Sequence, residues 1–302
     1  SVEQAAAAVN PLGYNWEAEN VASVGQARAA SERWKQWVGE DVEAGSEGEE
    51  DKTELDAWQD FVRDIMARRG QDLETASPLR LMMVGGPGTG KSRTIRAGVK
   101  ARRSAMSEHK FTEKQRREAC LLAAPTGTAS FQLKNGATTI HRAFGVPIGF
   151  CGPTLNKSQQ YFKKRQARLR SAKMFIIDEW SMFGRSMCGK VDFRVQEALP
   201  NSSNSFGGRN VVLSGGSNQA TPIGDDPLYY CGPYQGKGLN KPKKGDIPAG
   251  TPSLEALHAR GELLRDEFED VVILREVHRI DKDLKGVNAQ VCLLYTSDAA
   301  DE

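Results

Sequence analysis

No CxxC pair occurs in this 302-residue chain. Its five cysteines, Cys120, Cys151, Cys188, Cys231 and Cys292, are odd in number and widely spaced. That pattern reads as reduced thiols in an intracellular protein. No window approaches the roughly 18 consecutive apolar residues of a membrane-spanning helix. The apolar start, Ala5 to Val9, is too short for a secretory signal and has no basic residues ahead of it. Charge of one sign is not in excess either. Lys and Arg number 41 and Asp and Glu 39, a net of +2, too little to imply a nucleic-acid partner by itself. With 39% hydrophobic and 26% charged residues, the chain is neither a collagen, a coiled coil nor wholly disordered. Its length permits two units or one large α/β domain.

The charge that is present is unevenly placed. From Glu40 to Asp56 there are nine acidic residues and one lysine, broken by Gly45, Ser46 and Gly48, which reads as a solvated linker. Before it, residues 16–38 carry Trp16, Trp34, Trp37 and Val38 among alanines and suit a helix. After it, Leu55, Trp58, Phe61, Val62 and Ile65 recur at helical spacing and predict an amphipathic helix with these residues inward. Basic runs lie at residues 93–117, 157–173 and 237–244, and each taken alone reads as a solvated face. The last residues, 294–302, resemble the translation of a sequencing adaptor and are set aside as non-native. With serine at position 1, the chain is expected to be a fragment. The division is an N-terminal helical or disordered extension and acidic linker at 1–52, a main domain at 53–293, and the tail.

From residue 79, short apolar runs alternate with longer polar segments. Leu79–Val84, Cys120–Ala124, Met174–Ile177, Val211–Leu213 and Val271–Leu274 each predict a buried strand. The fold class is therefore α/β, a mainly parallel sheet with helices on both faces. In such sheets ligands bind at the carboxyl ends of the strands, so chemically loaded residues belong there.

Two segments carry that load. Gly85-Gly86-Pro87-Gly88-Thr89-Gly90-Lys91-Ser92 fits GxxxxGK[ST] between a predicted strand and a predicted helix. Glycines let backbone N–H groups wrap phosphates, and the helix N-terminus adds partial positive charge. Lys91 places an ammonium at the β/γ oxygens, and Ser92 offers a hydroxyl to Mg²⁺. Met174-Phe175-Ile176-Ile177-Asp178-Glu179 then leads apolar residues into two carboxylates. Asp178 is placed to share the Mg²⁺ with Ser92, and Glu179 to orient and deprotonate the attacking water. These groups define an NTPase and not its purpose.

Four further segments narrow the choice: Ala124-Pro125-Thr126-Gly127-Thr128-Ala129-Ser130, Thr139-Ile140-His141-Arg142-Ala143-Phe144, Asp178-Glu179-Trp180-Ser181-Met182, and Ser214 to Ile223 around Gln219. In this order the chain resembles the PIF-type (petite integration frequency) DNA helicases, including the forms carried by Helitron transposons, in the RecD-like branch of superfamily one. The resemblance spans about residues 55–280 and implies a RecA-like motor domain, the first of two. It implies that Gln59 bonds adenine, that Gln219 senses the γ-phosphate, and that Arg279 stabilises charge on the transferred phosphoryl group. Thr126, Thr139 and His141 would lie beside single-stranded DNA, with turn capping or a satisfied imidazole as the plainer readings. One departure stands out. The family has Gly-Asp, a spacer and then Gln-Leu-Pro-Pro, where this chain has Gly215-Gly216 and Gln219-Ala220-Thr221-Pro222.

The resemblance further implies ATP and Mg²⁺ as cofactors and single-stranded and duplex DNA as partners. It implies 5′-to-3′ unwinding in repair, recombination and telomere or genome maintenance. A soluble intracellular monomer is expected, in nucleus or mitochondrion if eukaryotic, with no membrane role. About 15 residues separate Arg279 from the tail, too few for another domain. The expectation is thus nucleotide binding without efficient turnover or unwinding by this polypeptide. The alternatives are another P-loop ATPase, which has no special need of Thr139, His141 or Gln219, and a catalytically inactive nucleic-acid-binding module.

Overall fold

Six parallel strands form one sheet in a computed structural model that describes residues 54–69, 77–107, 111–149, 151–154, 159–200, 202, 204–216, 219–234 and 249–278. The helix and linker expected before residue 54, the basic run at 237–244, Arg279 and the tail lie outside the described residues. The strands are β1 (Arg80–Gly85), β2 (Cys120–Ala124), β3 (Thr138–Thr139), β4 (Met174–Asp178), β5 (Asn210–Gly215) and β6 (Asp270–Leu274), in the spatial order β3-β2-β4-β5-β1-β6. The helices are α1 (Ala57–Arg68), α2 (Lys91–Ser107), α3 (Glu113–Glu118), α4 (Gly127–Leu133), α5 (Ile140–Phe144), α6 (Gln160–Ser171), α7 (Arg185–Ala198) and α8 (Leu254–Asp266).

The sheet is covered on both faces because its central strands carry apolar runs that are buried at nearly every position. Successive side chains leave a strand on opposite sides. Leu122, Met174, Ile176 and Val212 enter one core with Val62 and Met66 of α1 and Ile95 and Val99 of α2. Ala123, Phe175, Ile177 and Leu213 enter the other with Phe144 of α5, Leu169 of α6, Val191 of α7 and Leu264 of α8. Phe144 meets Phe175 edge to face, with ring centroids 5.2 Å apart. Each such fully buried side chain contributes about 1.5–3 kcal/mol.

Three expectations change on contact with the structure. Strand β6 is not buried but alternates: Val272 and Leu274 face the core, while Val271 and Ile273 are about half exposed. Among the described residues it is an edge strand, paired only with β1. On α1 the inward stripe is Gln59, Val62 and Met66, and Trp58 and Phe61 stand exposed against each other. Helical spacing had placed Trp58 and Phe61 inside, but a polar glutamine took that stripe. The two basic runs that can be followed are also more than solvated faces. Arg102 is fully buried, Arg165 is buried against Glu197, and Arg168 donates to the carbonyls of Arg142 and Ala143.

Candidate active site

The carboxyl ends of the strands line up one edge of the sheet. Val84 pairs with Gly215, Asp178 with Ser214 and Ala124 with Thr139, so the loops after β1, β2, β3, β4 and β5 all leave together. Every chemically loaded segment singled out in the sequence begins there. The edge is where a parallel sheet gathers loops from distant parts of the chain.

The loop from Gly85 to Ser92 joins β1 to the 17-residue α2. Gly88 and Gly90 have φ of 82° and 76°, in the left-handed region open to glycine, which lets the chain curl over the helix N-terminus. Lys91 Nζ reaches back to the carbonyls of Gly85 at 2.7 Å and Gly86 at 2.9 Å. Thr89 Oγ1 donates to the Gly86 carbonyl at 2.9 Å. The Ser92 hydroxyl lies 3.5 Å from Asp178 Oδ2, so two loops separated by 86 positions meet.

Asp178, 4% exposed, ends β4. Burial pushes its carboxyl above the usual carboxylate range, and Ser214, the Glu179 N–H, Lys91 and Ser92 offset this only in part. Its Oδ1 is buried with no hydrogen-bond partner among the described residues. A buried carboxylate oxygen left unpaired beside a serine hydroxyl is the donor set a hard cation takes, so Asp178 and Ser92 fit Mg²⁺. Glu179 follows with φ 55° and ψ 49°, a left-handed conformation uncommon outside glycine and asparagine. That turn keeps two adjacent acids at the same edge where an extended strand would part them. Burial and the neighbouring Asp178 raise its carboxyl, while Lys91 and the Gln219 side chain lower it less. A raised carboxyl suits a general base. Gln219 bonds Glu179 and accepts from the Gly216 N–H at 2.7 Å. At the departure noted above, a Cβ on Gly216 would lie 3.0 Å from the Gly85 carbonyl oxygen and 3.2 Å from Gln219 Oε1.

Gln59 comes to the same loop by another route. It is fully buried, with its amide bonded to the Asp56 N–H and the Thr89 carbonyl. Thr126 and Thr139 sit at the sheet edge, but each caps a helix, accepting from the N–H of Ala129 and Arg142. His141 is half-buried, with Nδ1 2.9 Å from the Val146 carbonyl. Sequence reasoning missed a second group at the loop. His278 donates its main-chain N–H to the Gly88 carbonyl at 2.9 Å, and its Nε2 lies 2.9 Å from Asp56 Oδ2. Burial works against the Asp56 carboxylate, yet the Gln59 N–H, His278 and the Trp58 N–H hold it below the usual range. Asp56 followed three residues later by Gln59 is a capping-box signal that was there to be read. Nothing local marked His278.

Comparison with known proteins bears on this geometry. The family model described as PIF1-like helicase matches residues 70–228, more than half of the chain. The chain belongs to the PIF1-like helicase family. No curated protein matches it. Among solved structures, one of two coordinating Pif1 helicases unwinding forked double-stranded DNA aligns at 20% identity and TM-score 0.50, over 80% of this chain and 48% of that one. Pif1 from Candida albicans aligns at 20% identity and TM-score 0.48, over 80% and 44%. Pif1 from Bacteroides with ADP-AlF3 and single-stranded DNA aligns at 18% and 0.47, over 83% and 49%. At 20% identity and TM-score 0.50 the first of these likenesses is one of fold, the RecA-like α/β domain expected from the sequence. The chain spans about half the length of the solved structures it matches. Among the described residues, no helix is long and apolar enough to cross a membrane.

Proposed function

We propose that this chain carries the first motor domain of an ATP-dependent DNA helicase. The observation that carries the reading is the meeting of Lys91, Ser92, Asp178, Glu179 and Gln219 at one sheet edge, although they span 129 positions of sequence. The glycine loop and the N-terminus of α2 hold the triphosphate, and Lys91 neutralises its β/γ oxygens. Ser92 and Asp178 hold Mg²⁺, which supplies Lewis-acid neutralisation of the phosphate oxygens. Glu179 takes the proton of the attacking water, and Gln219 ties that base to the loop after β5. Arg279 follows His278 directly and is assigned to charge on the transferred phosphoryl group.

Family membership supports single-stranded DNA as the polymer moved, and 5′-to-3′ as the direction. Thr126, at the N-cap of α4, Thr139, at the end of β3, and His141, in the first turn of α5, lie near the same edge and are assigned to the DNA path. Repair, recombination and telomere or genome maintenance are the roles this activity would serve, in the nucleus or mitochondrion. The test is single-strand DNA affinity with and without a non-hydrolysable ATP analogue in Mg²⁺. A motor shows coupling between the two ligands, at least several-fold. Salt-sensitive DNA binding indifferent to nucleotide identifies a passive binding module. Lys91→Ala is expected to abolish nucleotide binding, and retained affinity would remove the site.

A further inference from the structure

We propose that the outer face of α6, with Arg209 just before β5, forms a basic track that takes the phosphate backbone of a DNA strand along the outside of the domain, away from the sheet edge. The inference rests on the reading of DNA as the polymer and gives it a second surface.

Only part of the charge on α6 is answered inside the fold. Arg165 pairs with Glu197, and Arg168 donates to the carbonyls of Arg142 and Ala143, which joins α6 to the helix that carries His141. Among the described residues no carboxylate pairs with Lys163, Lys164, Arg170 or Arg209. Lys163, Lys164 and Arg170 are exposed, and positions 163, 167 and 170 fall on one stripe of the helix. Helix stability does not explain the lysines. No acidic residue stands in the first turn of α6 and no side chain caps its N-terminus. Lys163 and Lys164 lie near the end where the helix already gathers partial positive charge. Lys164 also precedes Arg168 by four residues, a like-charge spacing that disfavours a helix. The dipole suits Arg168 and Arg170 in the last turn, and the lysines oppose it. A polyanion outside the helix offsets that opposition.

The stripe ends in a cleft. Ala172 and Lys173 lead straight from α6 into β4, so the last turn of α6 lies at the amino ends of the strands, opposite the nucleotide site. There Arg170, Leu199, Pro200, Ser202, Gly207 and Arg209 line an open cleft of about 420 Å³, and none of these residues is acidic. Arg170 Nε donates to the Ala198 carbonyl at 3.3 Å, and Arg209 Nη2 donates to the Arg170 carbonyl at 3.2 Å, which holds both guanidinium groups at this cleft. Arg209 Nε is buried with no hydrogen-bond partner among the described residues, and burial draws the guanidinium below its ordinary pKa with no acidic neighbour to oppose it. A guanidinium fork matches the oxygens of a phosphate. The length of the stripe decides between a free phosphate and a strand. A 12-residue helix is roughly 18 Å long, far more than one phosphate covers, and a chain of phosphates fits it.

The experiment measures binding of a long fluorescent oligothymidylate to the whole chain over a range of salt, by anisotropy. The track variant combines Lys163→Ala, Lys164→Ala and Arg170→Ala. A control combines Arg63→Ala, Arg68→Ala and Arg69→Ala, which removes equal charge at α1, on the other face of the sheet. Each phosphate contact on a single strand adds about 0.7 to the slope of log affinity against log salt. The track variant is therefore expected to have a slope shallower by about two and an affinity at low salt weaker by about tenfold or more, with the control close to wild type. A second variant, Lys163→Glu with Lys164→Glu, places acids where the helix dipole favours them, so without DNA it melts no lower than wild type while it loses DNA affinity in the same way. An unchanged slope in the track variant, or an equal loss in the control, overturns the track and leaves the DNA reading standing. A wild-type chain that does not bind the oligonucleotide overturns the DNA reading, and the track with it.

Discussion

Asp178→Asn should stabilise the protein and disarm it at once. The carboxylate is 4% exposed, one of its oxygens has no partner among the described residues, and burial raises its pKa despite Lys91 nearby. In the fold its charged form is therefore worth less than in the unfolded chain, and a neutral isostere relieves the difference. Replacing a partly compensated buried charge is worth on the order of 1–2 kcal/mol. For a domain of this size 1 kcal/mol moves the melting temperature by about 2–4 °C. Without nucleotide the variant should thus melt a few degrees above wild type. With Mg²⁺ and ATP at a hundred times Kd, wild type gains about 2.7 kcal/mol by linkage, or about 5–10 °C. The variant, lacking the carboxylate assigned to the metal, should gain far less. The order of melting temperatures then reverses between the two conditions. Thermal scans of both proteins with and without ligand measure this, and a variant that melts below wild type in both would refute the reasoning.

Other substitutions test separate parts of the same argument. Glu197→Gln leaves Arg165 and Arg194 buried without their carboxylate, 2.8 and 2.9 Å away, and should cost about 3–5 kcal/mol at neutral pH in a denaturant titration. Burial alone would raise the Glu197 carboxyl, but Thr154 and Arg194 bring it below its ordinary 4.5. Its stabilisation is therefore complete above that ordinary value and lost as pH falls through the lower folded value, so wild type and variant should converge only in strong acid. Arg102→Met removes a guanidinium that is fully buried, makes one 3.3 Å bond to the Met66 carbonyl and lies against the Cys120 thiol. It should raise stability by about 1–3 kcal/mol, and a lower melting point would count against that. Gly216→Ala should displace Gln219 through its 3.2 Å contact, slowing ATP hydrolysis about tenfold with nucleotide Kd unchanged. A weakened Kd with unchanged turnover would show that Gly216 serves the phosphate loop instead.

What could be read from the sequence depended on how local each signal is. Four of the strands announced themselves as apolar runs because a central parallel strand buries both faces, and β6 did so although it buries only one. The sixth, β3, is two threonines long and leaves no pattern to find. The phosphate loop was legible because all its chemistry sits in eight consecutive residues, and Asp178 because an apolar run leads into it. Periodicity misjudged α1 because Gln59 is buried for what it bonds, which no hydropathy pattern records. The contact between Asp56 and His278 spans 222 positions, and nothing in the sequence around His278 points to it. The basic runs misled for a related reason. A guanidinium beside a backbone carbonyl and one in solvent look alike as letters, and only packing separates Arg165 from Lys163.

The bond from His278 to Gly88 also ties the phosphate loop to the chain that leaves an edge strand of the sheet. Among the described residues strand β6 is hydrogen-bonded on one side only, to β1, and alternate side chains, Val271 and Ile273, are about half exposed. Strands β4 and β5 are paired on both sides and buried at nearly every position. Local opening starts where backbone bonds are few and apolar cover is thin. His278 lies four residues beyond the end of β6 and holds the Gly88 carbonyl. A triphosphate that orders the loop must therefore also restrain the exit of β6. Hydrogen exchange should show Val272 to Leu274 opening faster than Phe175 to Ile177 without nucleotide, and slowing when Mg²⁺ and ATP are added. His278→Ala should blunt that slowing while β4 stays as protected as before. If β6 exchange ignores nucleotide, the loop and the strand are not mechanically joined, and the His278 contact is only a cap on the chain's path.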